Sequence, residues 1–79
     1  MKDNVNNPAH YKIGKTEAID SIEDAVRGAP EPVFGYLQGN CIKYLSRMWY
    51  KDKPLEDAKK SEWYLKRLIK AIGKHNIKQ

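Results

Sequence analysis

Gly39-Asn40-Cys41-Ile42-Lys43-Tyr44-Leu45-Ser46-Arg47 carries two faces with different chemistry, and the spacing predicts that both lie on one helix. With each residue turning the chain by about 100°, Asn40, Lys43 and Arg47 fall within about 60° of one another. Tyr36 and Lys51 extend that stripe at its ends, and no acid of the same helix interrupts it. About a quarter-turn away, Phe34, Leu37, Cys41, Tyr44, Leu45 and Met48 form an apolar face. The helix is expected to open with Pro32 in its first turn and to run to about Tyr50. It supplies a core and a row of anion-binding groups together.

Outward from this helix the pattern is helical on both sides. Thr16 is the expected N-cap of a first helix, with Glu17 and Asp20 where the dipole favours acids. Ala18, Ile19, Ile22, Ala25 and Val26 make its apolar stripe, and Gly28 offers a left-handed cap at its end. Ala29-Pro30-Glu31-Pro32 is a stiff connector. A third helix is expected from Lys53-Pro54, with Leu55, Ala58, Leu65, Leu68, Ile69 and Ile72 buried and Gly73 as its stop. Residues 74–79 read as a frayed tail. Residues 1–15, with Asn6-Asn7-Pro8 as turn chemistry, read as an irregular N-terminal arm. No alternating stretch of strand length appears. The expected fold is all-α, a compact three-helix domain spanning residues 1–79.

Seventy-nine residues with a single cysteine lie near the lower limit for a self-sufficient core, without a disulfide or zinc cluster as a staple. The shortfall is commonly met by oligomerisation, so a homo-oligomer is expected. Cys41 lies on the apolar face with no histidine near in sequence, and reads as a small buried hydrophobe in a reducing compartment. Fifteen Lys and Arg against ten Asp and Glu give a formal charge of +5. Residues 16–31 hold the acidic surplus and residues 43–79 most of the bases. That polarity suits an anionic ligand, or head-to-tail contact between subunits. Neither a membrane span nor a signal segment is visible, and a soluble intracellular protein is expected.

The Asn40/Lys43/Arg47 stripe reads equally as an anion site, with the guanidinium gripping phosphate through paired hydrogen bonds, or as a charged face paired with the acidic first helix. On the third helix, Lys59, Lys60, Lys66, Arg67 and Lys70 surround Trp63 away from the leucine stripe. Cations interleaved with an aromatic can stack a base and hold phosphates, and can equally pack on a neighbouring subunit. His10-Tyr11 can rest on the helices or reach into a site. Glu17, Asp20 and Asp24 share a face, but the second helix has no acid between Pro32 and Tyr50 to complete a metal site. A solvated acidic face is the better reading, and no metal or cofactor is expected. Gly-rich phosphate loops, Cys/His zinc spacings and nucleophile elbows are absent from the sequence.

His10-Tyr11, Glu17-x-Ile19-Asp20-x-Ile22, Phe34-x4-Gly39-Asn40-x-Ile42-Lys43-Tyr44-x2-Arg47, Lys51-x-Lys53, Glu56-Asp57-x-Lys59-Lys60 and Trp63-Tyr64-Leu65 together resemble a small phage-encoded domain family of largely unknown function. A related domain occurs in the nucleotide kinase of short-tailed coliphages. The resemblance covers roughly residues 8–70 and implies a phage protein of the host cytoplasm that handles nucleotides as an oligomer. It makes His10, Tyr11, Asn40, Lys43, Tyr44, Arg47 and Lys51 the candidate pocket, with Trp63 or Tyr11 stacking a base. The expected function is binding of a nucleotide or small cyclic oligonucleotide, with sequestration of a host-defence signal as one use. The alternatives are a metal-independent, nucleoside monophosphate kinase-like phosphotransferase and a nucleic-acid-binding protein.

Overall fold

The computed structural model describes residues 12–13 and 16–75, and three helices dominate them: α1 (Ala18–Val26), α2 (Pro32–Arg47) and α3 (Pro54–His75). Ahead of α1, β1 (Lys12–Ile13) pairs antiparallel with β2 (Thr16–Glu17), Lys12 opposite Glu17 and Ile13 opposite Thr16. β1 lies within the stretch expected to be irregular, while β2 takes up Thr16 and Glu17, expected at the start of the first helix, and so removes Thr16 from the capping position. Glu17 stands at the N-cap of α1 instead, with extended backbone and no capping hydrogen bond from its side chain. Gly28 does not adopt the left-handed cap expected of it. The chain leaves α1 through Arg27 in helical geometry, and the Ala29 amide donates to the Val26 carbonyl at 3.0 Å.

α2 starts as expected, with Glu31 extended and Pro32 as its first residue. The Glu31 carbonyl accepts from the amides of Phe34 and Gly35 at 3.0 and 3.4 Å, so proline's missing donor costs nothing here. The helix ends at Arg47, short of the expected Tyr50, because the Tyr50 amide turns back to the Arg47 carbonyl at 2.9 Å. α3 begins on Pro54 and passes through its expected stop at Gly73. The end of α3 is tied down: the His75 ring meets Phe34 edge-on at 5.0 Å, and its Nε2 lies 3.6 Å from the Glu31 carboxylate. Those contacts outweigh a helical glycine's cost of about 1 kcal/mol.

α2 is the central element, with α1 and α3 both packed on it. Against α1 it presents Gly35 and Gly39, one turn apart. A Cβ on Gly39 would stand 3.2 Å from Ile22 Cγ2, and one on Gly35 would stand 3.5 Å from Val26 Cβ. The two helices therefore approach through a glycine-lined strip. Against α3 it presents Phe34, Leu37 and Cys41, which with Ala18 are the buried hydrophobic residues among those described. The Cys41 thiol donates to the Ser61 carbonyl at 3.6 Å, and the Ser61 hydroxyl returns a bond to the Cys41 carbonyl at 3.0 Å. The pairs Cys41–Ser61, Arg47–Asp57 and Phe34–His75 run in opposite directions along the two helices, making α2 and α3 an antiparallel hairpin.

The core of α3 differs from the expected leucine stripe. Asp57 and Ser61 are the buried residues, while Leu55, Leu65 and Ile69 are 67%, 46% and 61% exposed. The buried face follows Asp57, Ser61, Tyr64 and Leu68, about 90° around the helix from the expected stripe. Two causes combine. Cys41 and Ser61 are small and bond to each other's backbone, so the helices close at that point. Asp57 is then drawn against Arg47, Nε to Oδ2 at 3.2 Å. Leu45, expected in the core, is likewise 51% exposed. None of the described helices is long and apolar enough to cross a membrane.

Candidate anion-binding groove

The helix hairpin brings the two cationic patches of the sequence together on one side. Tyr44 of α2 stacks on Tyr64 of α3 with centroids 5.9 Å apart and planes 14° from parallel. Tyr64 also meets Trp63 edge-on at 5.0 Å and Tyr36 at 6.1 Å. Cations surround these rings. Lys43 Nζ, Arg47 Cζ and Lys60 Nζ lie 5.3, 5.2 and 5.4 Å from the Tyr44 centroid, and Arg67 Cζ lies 5.1 Å from that of Trp63. All are within cation–π range. Because Lys43 and Arg47 come from α2 while Lys60 and Arg67 come from α3, the cluster exists only in the folded hairpin.

Beside these rings opens a cleft of about 700 Å³, lined by Tyr44, Leu55, Glu56, Lys59, Lys60, Trp63 and Tyr64. Its size and mixed apolar and polar walls suit a small-molecule ligand. Glu56 is the acid among its lining residues, and its carboxylate reaches Lys60 at 3.3 Å and Lys53 at 4.0 Å. These exposed pairs are worth only a few tenths of a kcal/mol each, so a bound phosphate can displace the Glu56 contact with Lys60. Hydrogen bonding with Tyr36 is the first reason that Tyr64 holds its phenol proton above the ordinary 10.0, with desolvation and the neighbouring tyrosines adding to it. Tyr64 is therefore a neutral hydrogen-bonding phenol at physiological pH.

The candidate residues take distinct roles. Lys43, Tyr44 and Trp63 join the cluster. Arg47 joins it as well, but its Nε also holds the carboxylate of Asp57, a side chain only 2% exposed. Asn40 donates from its amide nitrogen to the Tyr36 carbonyl one turn earlier, at 2.9 Å, which commits that nitrogen to the helix. Lys51 lies in the α2–α3 bend, and His10 and Tyr11 lie outside the described residues. The acid face of α1 does not gather into a site: among the described residues no three His, Cys, Asp or Glu side chains converge as a metal set would. Cys41 is buried, and that burial raises its thiol above the ordinary 9.0, partly offset by the Ser61 hydrogen bond. It is a packing residue.

Two residues of the arrangement escape a reading by hydrophobicity. Tyr64 is the hub of the aromatic cluster, and Asp57 orients Arg47. Their signal is the spacing Asp57-x3-Ser61-x2-Tyr64-x3-Leu68, a regular helical stripe. Its polar members hide it from a search for leucines.

The fold and groove thus define a three-helix domain with a cation-ringed aromatic face. The chain belongs to a family described as a protein of unknown function (DUF3310), whose model matches residues 5–66. No curated protein and no solved structure matches it.

Proposed function

We propose that the chain binds a nucleotide in the cleft beside Tyr44 and Trp63, the base stacking on Trp63 and the phosphates meeting Lys60, Lys59 and Arg67. The observation that carries this reading is the aromatic cluster with cations from two helices around it, opening onto a ligand-sized cleft. Stacking on an aromatic face tolerates any base, while cations beside it supply the phosphate affinity. Calorimetry against mono-, di- and cyclic nucleotides tests it: saturable binding at micromolar concentrations is expected, and heats of dilution alone throughout the panel would sink it. The resemblance read from the sequence supports a phage-encoded protein working in the host cytoplasm, where holding a nucleotide signal of host defence is one use of such a cleft. The kinase-like alternative rests on that resemblance alone.

Self-association belongs to the same reading. Leu65 and Ile69 lie on the side of α3 turned away from Trp63 and Arg67, and both are about half exposed or more. Leu45 and Trp49, at 51% and 76%, add to the uncovered apolar surface. Such a surface, beside a buried core this small, is covered by a second copy of the chain, leaving the basic groove open.

A further inference from the structure

We infer that the natural ligand carries two bases, and that the groove holds them in two adjoining subsites joined at Arg67. This rests on the nucleotide reading above and names the class of ligand. A second cleft, of about 320 Å³, continues the groove along the same side of the helix hairpin, lined by Val33, Tyr36, Leu37, Arg67, Lys70, Ala71 and Lys74. The boundary between the clefts is made of known contacts. Tyr64 of the first cleft meets Tyr36 of the second edge-on at 6.1 Å. Trp63 of the first carries on its face the guanidinium of Arg67, a lining residue of the second.

Each cleft thus repeats one composition: an exposed aromatic ring, an apolar wall and at least two lysines. Trp63 and Leu55 stand with Lys59 and Lys60 in the first, and Tyr36 and Val33 with Lys70 and Lys74 in the second. A mononucleotide has one base and fills one aromatic subsite. The second ring and its lysines then contribute only long-range charge. A dinucleotide places one base on each ring and its internucleotide phosphate at the boundary. There the planar Arg67 fork meets phosphate geometry. On the described lining of the second cleft there is no acid to oppose it.

The test titrates the 79-residue chain with AMP, ATP and the 5′-phosphorylated dinucleotide pApA, followed by calorimetry. The inference expects pApA to bind about tenfold more tightly than AMP, as one further stacked base provides. It also expects pApA to bind more tightly than ATP, which separates a second base from added charge. In Lys70→Glu/Lys74→Glu, two exposed positions whose folding is checked by circular dichroism, the advantage of pApA over AMP should vanish while AMP affinity holds within about twofold. Equal affinities for AMP and pApA, or an equal loss of both in the variant, would overturn the two-base ligand and leave nucleotide binding standing. Failure of all three probes to bind would overturn both.

Discussion

Burying the Asp57 carboxylate to 2% exposure beside a guanidinium 3.2 Å away gives Arg47 work in the fold besides any at a ligand. Removing one partner of a buried pair strands the other charge. Asp57→Ala should therefore lower the unfolding free energy by about 3 kcal/mol, the low end of the range because Arg47 keeps a fifth of its side chain exposed. Urea unfolding reads this directly, and an unchanged midpoint would contradict it. It follows that Arg47→Ala is a poor probe of binding, since loss of fold and loss of ligand coincide there. Glu56 is the better residue to change. It lies on the cleft with its carboxylate on Lys60, so Glu56→Gln should tighten nucleotide binding several-fold, on the order of 1 kcal/mol from one like charge removed. Weaker binding would mean that Glu56 helps to hold the ligand. At this scale the residues singled out in the sequence meet in the fold: Lys43 and Arg47 lie over the Tyr44 ring, and Trp63 adjoins it through Tyr64. It did not show that Arg47 answers to Asp57, because that contact joins positions ten residues apart on separate helices.

The elements differ in how they treat glycine, and this gives a graded stability series. Gly73 lies inside α3, and a Cβ there would meet nothing within 4 Å. Gly73→Ala should stabilise by about 0.5–1 kcal/mol through helix propensity alone. At Gly39 a Cβ would already press on Ile22 at 3.2 Å. Gly39→Leu should destabilise by about 1–3 kcal/mol as α1 is pushed from α2. Thermal unfolding orders the pair, and a Gly39→Leu protein as stable as wild type would refute the close α1–α2 approach. The helices themselves were legible because periodicity, prolines and acidic first turns agree over long stretches. The roll of α3 was not. Hydrophobic spacing favoured Leu55, Leu65 and Ile69, but the small and polar pairs Cys41–Ser61 and Arg47–Asp57 set the packing face. The apolar side chains thus read as core became exposed surface.

For the whole molecule, two raised acids set a pH limit. Burial raises Cys41, and hydrogen bonding with Tyr36 leads the causes that raise Tyr64. The folded chain thus holds both protons more tightly than the unfolded chain. Their contribution to stability is complete below the ordinary values of 9.0 and 10.0 and is lost as pH climbs through the raised ones. Urea midpoints should hold up to about pH 9 and fall above it, and a midpoint rising there would reverse the sign. Light scattering on the eluting protein should give more than one copy per particle, and Leu65→Glu/Ile69→Glu should give one; a monomeric wild type would remove the covered apolar flank. The central claim concerns the groove, and Trp63 reports on it directly. With Trp49→Phe, Trp63 is the one tryptophan left of two, and titration with AMP should quench its emission saturably. The quench should disappear in Lys60→Glu/Arg67→Glu with helicity retained. Emission unmoved by AMP, ATP and pApA alike, in a chain that is still folded, would show that this aromatic face is not a nucleotide site.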